Sequence, residues 1–331
     1  MRKLLKIILA FALCVAVAPS AHATDLINIV VAEPVHGVGY LPLYIAVDKG
    51  YFAKLGLSVK VMTVEGGSAH TNAVLAGQAF AFIGGPEHDA YAKLQGGELR
   101  SVVNVVDRGN VYFVAKKGLA PAGKDYAAFV RGKVIDPGQF GGTPNSITRY
   151  LVNAWGLKEH KDVTLLETTT AGILAAVKTG QAQIAAVSEP QLTQGIRAGI
   201  WSEPFYNVPK EMGPYAYSTL NVSLAEIQKE PQIVAAFVRG VIMGLHAVYD
   251  NRAEATAIAQ REFPTMDPAD LKATLDRTYA DELWSKTGLV SHASWATAEK
   301  VVRGANILKA NVPYDQIIDM QFVKAVLAST K

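Results

Sequence analysis

The chain has 331 residues, half of them apolar, with 32 Lys and Arg against 29 Asp and Glu. Three of the cations (Arg2, Lys3 and Lys6) and the single cysteine, Cys14, fall near the start, so the remainder is formally neutral and free of thiols. Charge therefore gives no argument for a nucleic-acid partner, disulfide and thiol chemistry are excluded, and the roughly 308 residues after the start suffice for two ordinary domains.

The first predicted element is a leader. A positive start, an apolar run over residues 4–17 and Ala21-His22-Ala23 follow the three-part order of a secretory signal peptide. The apolar run is shorter than the ~20 residues that span a bilayer. Leu13 before Cys14 does not suit a lipoprotein signal, which wants a small residue there. Cleavage is expected near Ala23, with a periplasmic location for the mature chain.

From residue 26 the pattern alternates strand and helix. Residues 26–32 read as a buried strand, and a helix over 42–48 follows with Pro42 at a favourable early position. Residues 57–62 alternate apolar and polar, which predicts a strand with one solvated face. A helix over 69–76 stops at Gly77, and strands are expected over 80–83 and 99–106 with a helix over 87–95 between them. This order predicts an α/β protein with mainly parallel sheet.

Part of the pattern returns about a hundred residues later. Gly77-Gln78-Ala79 leads into a strand, a Pro86-Glu87 turn and a helix; Gly180-Gln181-Ala182 leads into a strand over 184–187, Glu189-Pro190 and another helix. Two similarly built lobes follow as the expectation. From about residue 224 the chain reads as successive helices, including 231–248, 253–262 and 268–278, with Val234, Phe237, Val238, Ile242 and Leu245 at core spacing. These helices are expected to pack back on the first lobe.

Tyr40-Leu41-Pro42-Leu43-Tyr44-Ile45-Ala46, Lys49-Gly50-Tyr51-Phe52 and Leu55-Gly56-Leu57 resemble a hallmark segment of one ABC-transporter solute-binding family. Its members bind sulfonates, taurine, nitrate and thiamine-pyrimidine precursors. Glu65-Gly66-Gly67-Ser68, Leu94-Gln95-Gly96-Gly97 and Arg131-Gly132-Lys133-Val134 continue the same order. The resemblance implies a type II periplasmic-binding-protein fold: two lobes with mainly parallel sheets, joined by two crossover strands. Lobe 1 would hold 24–108 and 219–331 and lobe 2 would hold 109–218, with crossovers over 108–115 and 215–222. A fungal branch of relatives makes a thiamine precursor with cysteine-rich iron chemistry, which a chain without mature cysteines does not fit.

Ligands of open α/β sheets bind beyond the carboxyl ends of the strands, and that rule selects the candidate site. Residues 34–40 follow the first strand and supply His36 and Tyr40. Gly67 and Ser68 start a helix after the second strand, where free N–H groups favour an anion or a carbonyl, unless Ser68 is only an N-cap. Thr143, Asn145 and Ser146 open a matching helix in the other lobe. Gly85 and Glu189 end the two repeat strands, and Glu189 would suit an amine or ring N–H. Arg108, at a crossover, would fork onto an anion, or else pair with Asp107. Tyr40 and Tyr215 would stack on a flat ring. His36, His70 and His88 share the rim without a metal-binding spacing, and neither metal nor cofactor is expected.

These features predict a non-enzymatic protein that captures a small organic solute and delivers it to the membrane permease of an ABC importer. The solute is either an anion, such as a sulfonate or carboxylate, or a pyrimidine-like or aromatic compound. A monomer is expected. A periplasmic sensor subunit would have the same fold, and an enzyme on this fold is the remaining alternative; no nucleophile elbow or phosphate loop is present.

Overall fold

The computed structural model describes residues 25–329; the expected leader lies outside the described residues. β1 (Ile27–Glu33) leads through a 3-10 turn into α1 (Leu41–Asp48), whose Pro42 sits in the first turn where a missing N–H costs nothing. β2 (Leu57–Thr63) is half-buried, as suits an edge strand. It is followed by α2 (Ala69–Leu75), the fully buried β3 (Ala81–Gly84), α3 (Glu87–Leu94) and β4 (Leu99–Arg108).

Residues 109–111 then cross to a second sheet. Its elements are β5 (Tyr112–Ala115), α4 (Tyr126–Val130), β6 (Val134–Asp136), α5 (Thr143–Ala154), β7 (Thr164–Leu165), α6 (Gly172–Thr179), β8 (Ile184–Val187), α7 (Gln191–Arg197), β9 (Tyr206–Asn207) and α8 (Val208–Met212). Gly213, at φ +66°, reverses the chain, and β10 (Pro214–Ser223) returns to the first sheet. The helices α9 (Leu224–Lys229), α10 (Pro231–Asp250), α11 (Arg252–Glu262), α12 (Pro268–Ala280), α13 (His292–Gly304) and α14 (Gln321–Ser329) complete the described chain.

The sheets have matching orders, β2-β1-β3-β10-β4 and β7-β6-β8-β5-β9. In each, the first three strands run parallel, and the fourth, the strand reached by a crossing of the chain, runs against its neighbours. The Gly-Gln-Ala repeats precede β3 and β8, which hold the same place in the two sheets. Gly77 and Gly180 stand at φ +69° and +83°, the left-handed conformation that ends a helix and favours glycine. This is the two-lobed, mainly parallel α/β architecture that the sequence predicts. β10 pairs with β4 from Pro214 opposite Arg108 to Ser223 opposite Leu99, so it belongs to the first sheet along its whole length.

The helical tail packs more widely than expected. α10 lies along α1, and Gly244 makes the approach possible: a Cβ there would come within 2.0 Å of the Pro42 carbonyl oxygen. α10 is long and apolar enough to cross a membrane by length and composition, but here it is a core helix with Val234, Phe237, Val241 and Leu245 buried. α12 and α13, by contrast, reach the second lobe, α12 against α7 and α13 against α5 as well as β10. Long-range polar pairs draw α12 there: Arg277 to Glu189 and Arg197 to Asp270.

Candidate functional site

Between the lobes lies a cleft of about 170 Å³. Its walls are loops at the carboxyl ends of strands in both sheets. They are residues 34–37 and 39–40 after β1, 66–67 after β2, 84–85 at the end of β3, 137–139 and 142–144 after β6 and 186–191 at the end of β8. Asn110 from the crossing to β5 and Tyr217 and Ser218 from β10 close the back. His36, Tyr40, Gly67, Gly85, Thr143 and Glu189 all line it, brought together from positions up to about 150 residues apart.

The expected pair of helix starts does meet across the lobes, as a backbone contact. A Cβ on Gly67 would fall 2.0 Å from the Phe140 carbonyl oxygen and 3.1 Å from Cα of Gly141. Gly67 lies outside the positive-φ region, so its own conformation accepts any side chain and only the approach of the second lobe demands glycine. Ser68 makes no capping bond with its side chain and faces Gly141 instead. Thr143 Oγ1 donates to Glu87 Oε1 at 2.6 Å, a direct bond between lobes. The Glu87 carboxyl folds back over Gly85, and burial pushes it up to about 7, with the Thr143 bond opposing.

Glu189 is already satisfied within the protein. It accepts from Thr193 Oγ1 (2.8 Å) and N (3.2 Å) on its own lobe. From α12 it accepts Thr274 Oγ1 (3.2 Å) and Arg277 Nε (3.0 Å). Burial raises its pKa, and these donors oppose the shift. His36 contacts Glu33 Oε1 through Nδ1 at 3.1 Å and the Glu262 carbonyl through Nε2 at 3.2 Å, between the rings of Tyr44 and Phe263. The hydrogen bond to Glu33 is the main cause raising its pKa. Tyr40 is buried and faces Ser218, and burial pushes its hydroxyl pKa upward.

Five expected residues do not line the cleft: Ser68, described above, and four others. The Arg108 guanidinium turns to the Asp107 carbonyl (2.9 Å) and the Glu282 carboxylate (3.8 Å). Tyr215 is fully buried beneath Gly109, with its ring edge-on to Tyr217. Asn145 ties the Gly138 carbonyl to Glu167 and Arg149 behind the wall, and Ser146 donates to the Gly142 carbonyl at 3.3 Å. Both hold the shape of the α5 start.

The cleft also holds the other two rim histidines and a residue the sequence did not single out, Asn110. His70 and His88 line it with ring centroids 4.7 Å apart at a near-perpendicular angle, and Phe82 packs edge-on to both. Neither His70 nitrogen has a partner. Burial lowers His88 to about 4 and holds His70 well below the usual range, so both rings are neutral near pH 7. Asn110 Oδ1 is buried without a partner, while its carbonyl accepts from Ser188 at 2.5 Å. The strand-end rule reaches these positions, but a histidine early in a helix reads equally as a cap.

Known proteins resemble this chain in sequence and in fold. YtlA of Bacillus subtilis, which carries the name of a binding protein, is 23% identical over 315 residues, covering 94% of this chain and 93% of its own. The riboflavin-binding protein RibY of Chloroflexus aurantiacus is 28% identical over 325 residues, covering 93% and 89%. Among solved structures, the alkanesulfonate-binding protein SsuA of Xanthomonas axonopodis pv. citri, bound to MOPS, superposes with a TM-score of 0.72. Its identity is 17%, over 90% of this chain and 100% of that one. The fold is that of periplasmic binding proteins. The family model described as NMT1/THI5 like matches residues 38–255, two thirds of the sequence, and the chain belongs to that family.

Proposed function

We propose that the protein captures a small organic solute in the cleft between its lobes and hands it to the permease of an ABC importer, without covalent chemistry. The observation that carries this reading is the cleft itself. Strand-end loops of two similar lobes enclose it, and the lobes touch through Gly67 and Phe140 and through Thr143 and Glu87. The names of RibY and SsuA, each a binding protein, support it. The leader and the cysteine-free remainder fit a periplasmic protein. We place the turning points of closure at residues 109–111 and at Gly213, where the chain passes between sheets.

Gly67→Val tests this reading. The added side chain overlaps the Phe140 carbonyl only when the lobes meet, so each lobe still folds while closure is blocked. Mass spectrometry of the denatured, freshly purified protein is expected to find one small molecule released from the parent chain and none from the variant. Equal release from both, or conversion of that molecule by the protein, would contradict capture by closure.

A further inference from the structure

The groups left without partners describe what the cleft receives. His70 is 2% exposed with neither ring nitrogen hydrogen-bonded, and Asn110, 5% exposed, has an unpaired Oδ1. His88 stands against His70, and all three residues line the cleft. Buried polar atoms are rarely left unpaired, so a ligand is the natural partner for these. Burial keeps both imidazoles neutral, and each neutral ring then offers one donor and one acceptor, while Asn110 Oδ1 accepts.

The same walls oppose an oxyanion. Among the described residues lining the cleft none is a lysine or arginine. The start of α3 carries the protein's own Glu87 carboxyl, folded over Gly85 with Oε2 unpaired. The start of α7 carries Glu189, which accepts the Thr193 N–H. Pro144 supplies no N–H at the second position of α5. Two helix ends that could hold an anion are thus filled by carboxyl groups, and a third has a donor removed. Val35, Val106 and Ile173 add apolar surface.

We infer, on the basis of the capture role proposed above, that the ligand is a small uncharged molecule with N–H or O–H donors and at least one acceptor. His70, His88 and Asn110 recognise it, and the cleft selects against oxyanions.

Thermal unfolding of the full chain with matched probes tests this. Nicotinamide is paired with nicotinate, and benzamide with benzoate, so that shape is kept and charge changes. The amides are expected to raise Tm with concentration and the acids to leave it unchanged. His70→Leu and Asn110→Ala should each weaken the amide shift about tenfold, the effect of one lost hydrogen bond. His70→Gln, which keeps a donor and an acceptor, should retain part of it. Cooperative unfolding without probe checks that each variant is folded. Acids that bind as well as the amides overturn the ligand class and leave capture standing. If neither member of a pair binds, the molecule released from the purified protein decides: an uncharged one supports the inference and an anionic one overturns it. Its absence, with no probe bound, overturns both the class and the capture role.

Discussion

Glu87 shows how a single buried acid ties the site to pH. It lies between Gly85 and Thr143, and burial raises it from 4.5 to about 7. The folded state therefore favours the protonated form. The stabilisation is complete below about 4.5 and is lost as the pH rises through about 7, on the order of 3 kcal/mol in all. Asp89 on the same helix is raised by burial too and slopes the same way, so the comparison must be against a variant. Glu87→Gln is expected to flatten the fall in thermal stability between about pH 5 and 7.5 relative to the parent. Identical slopes would show that Glu87 does not titrate in that window. Nothing local in Pro86-Glu87-His88 reveals this, because the burial that raises the carboxyl comes only with the folded chain, and the opposing donor Thr143 is 56 residues away on the other lobe.

At the scale of elements, the contacts that the sequence could not supply are those between distant helices. Continuous apolar runs such as 80–83 have nowhere to go but the middle of a sheet, and the Gly-Gln-Ala repeats end helices, so the succession of strands and helices and the twin lobes were legible, whereas the order of strands within each sheet was not. The direction of Arg108 and the satisfaction of Glu189 were not, since Arg277 stands 88 residues beyond Glu189 and reaches it only because α12 packs on α7. That helix pair also explains why the tail is not confined to the first lobe. Arg277 is held by Glu203 as well as Glu189. Arg277→Met should cost on the order of 3 kcal/mol by leaving the buried Glu189 carboxylate without its cation. Adding Glu189→Gln should restore a large part of that loss in chemical denaturation. Additive losses would mean that the two side chains are not coupled.

For the whole molecule, the strand-end rule placed the cleft without knowledge of its contents. His36, Tyr40, Gly67, Gly85, Thr143 and Glu189 all arrive there because every one of them follows or ends a strand. What the sequence could not distinguish was a residue that meets ligand from one that meets the opposite lobe. Gly67, Thr143 and Glu189 meet the opposite lobe, and His70, His88 and Asn110 face the cleft. Gly67, Thr143 and Glu189 line the cleft as well, so the closing contacts form part of its wall, and occupancy would shift the population toward the state in which the lobes touch. Small-angle scattering on protein stripped of its bound molecule and then reloaded tests this most directly. The expected result is a smaller radius of gyration on reloading for the parent chain and none for Gly67→Val. An unchanged radius in the parent on reloading would contradict capture by closure.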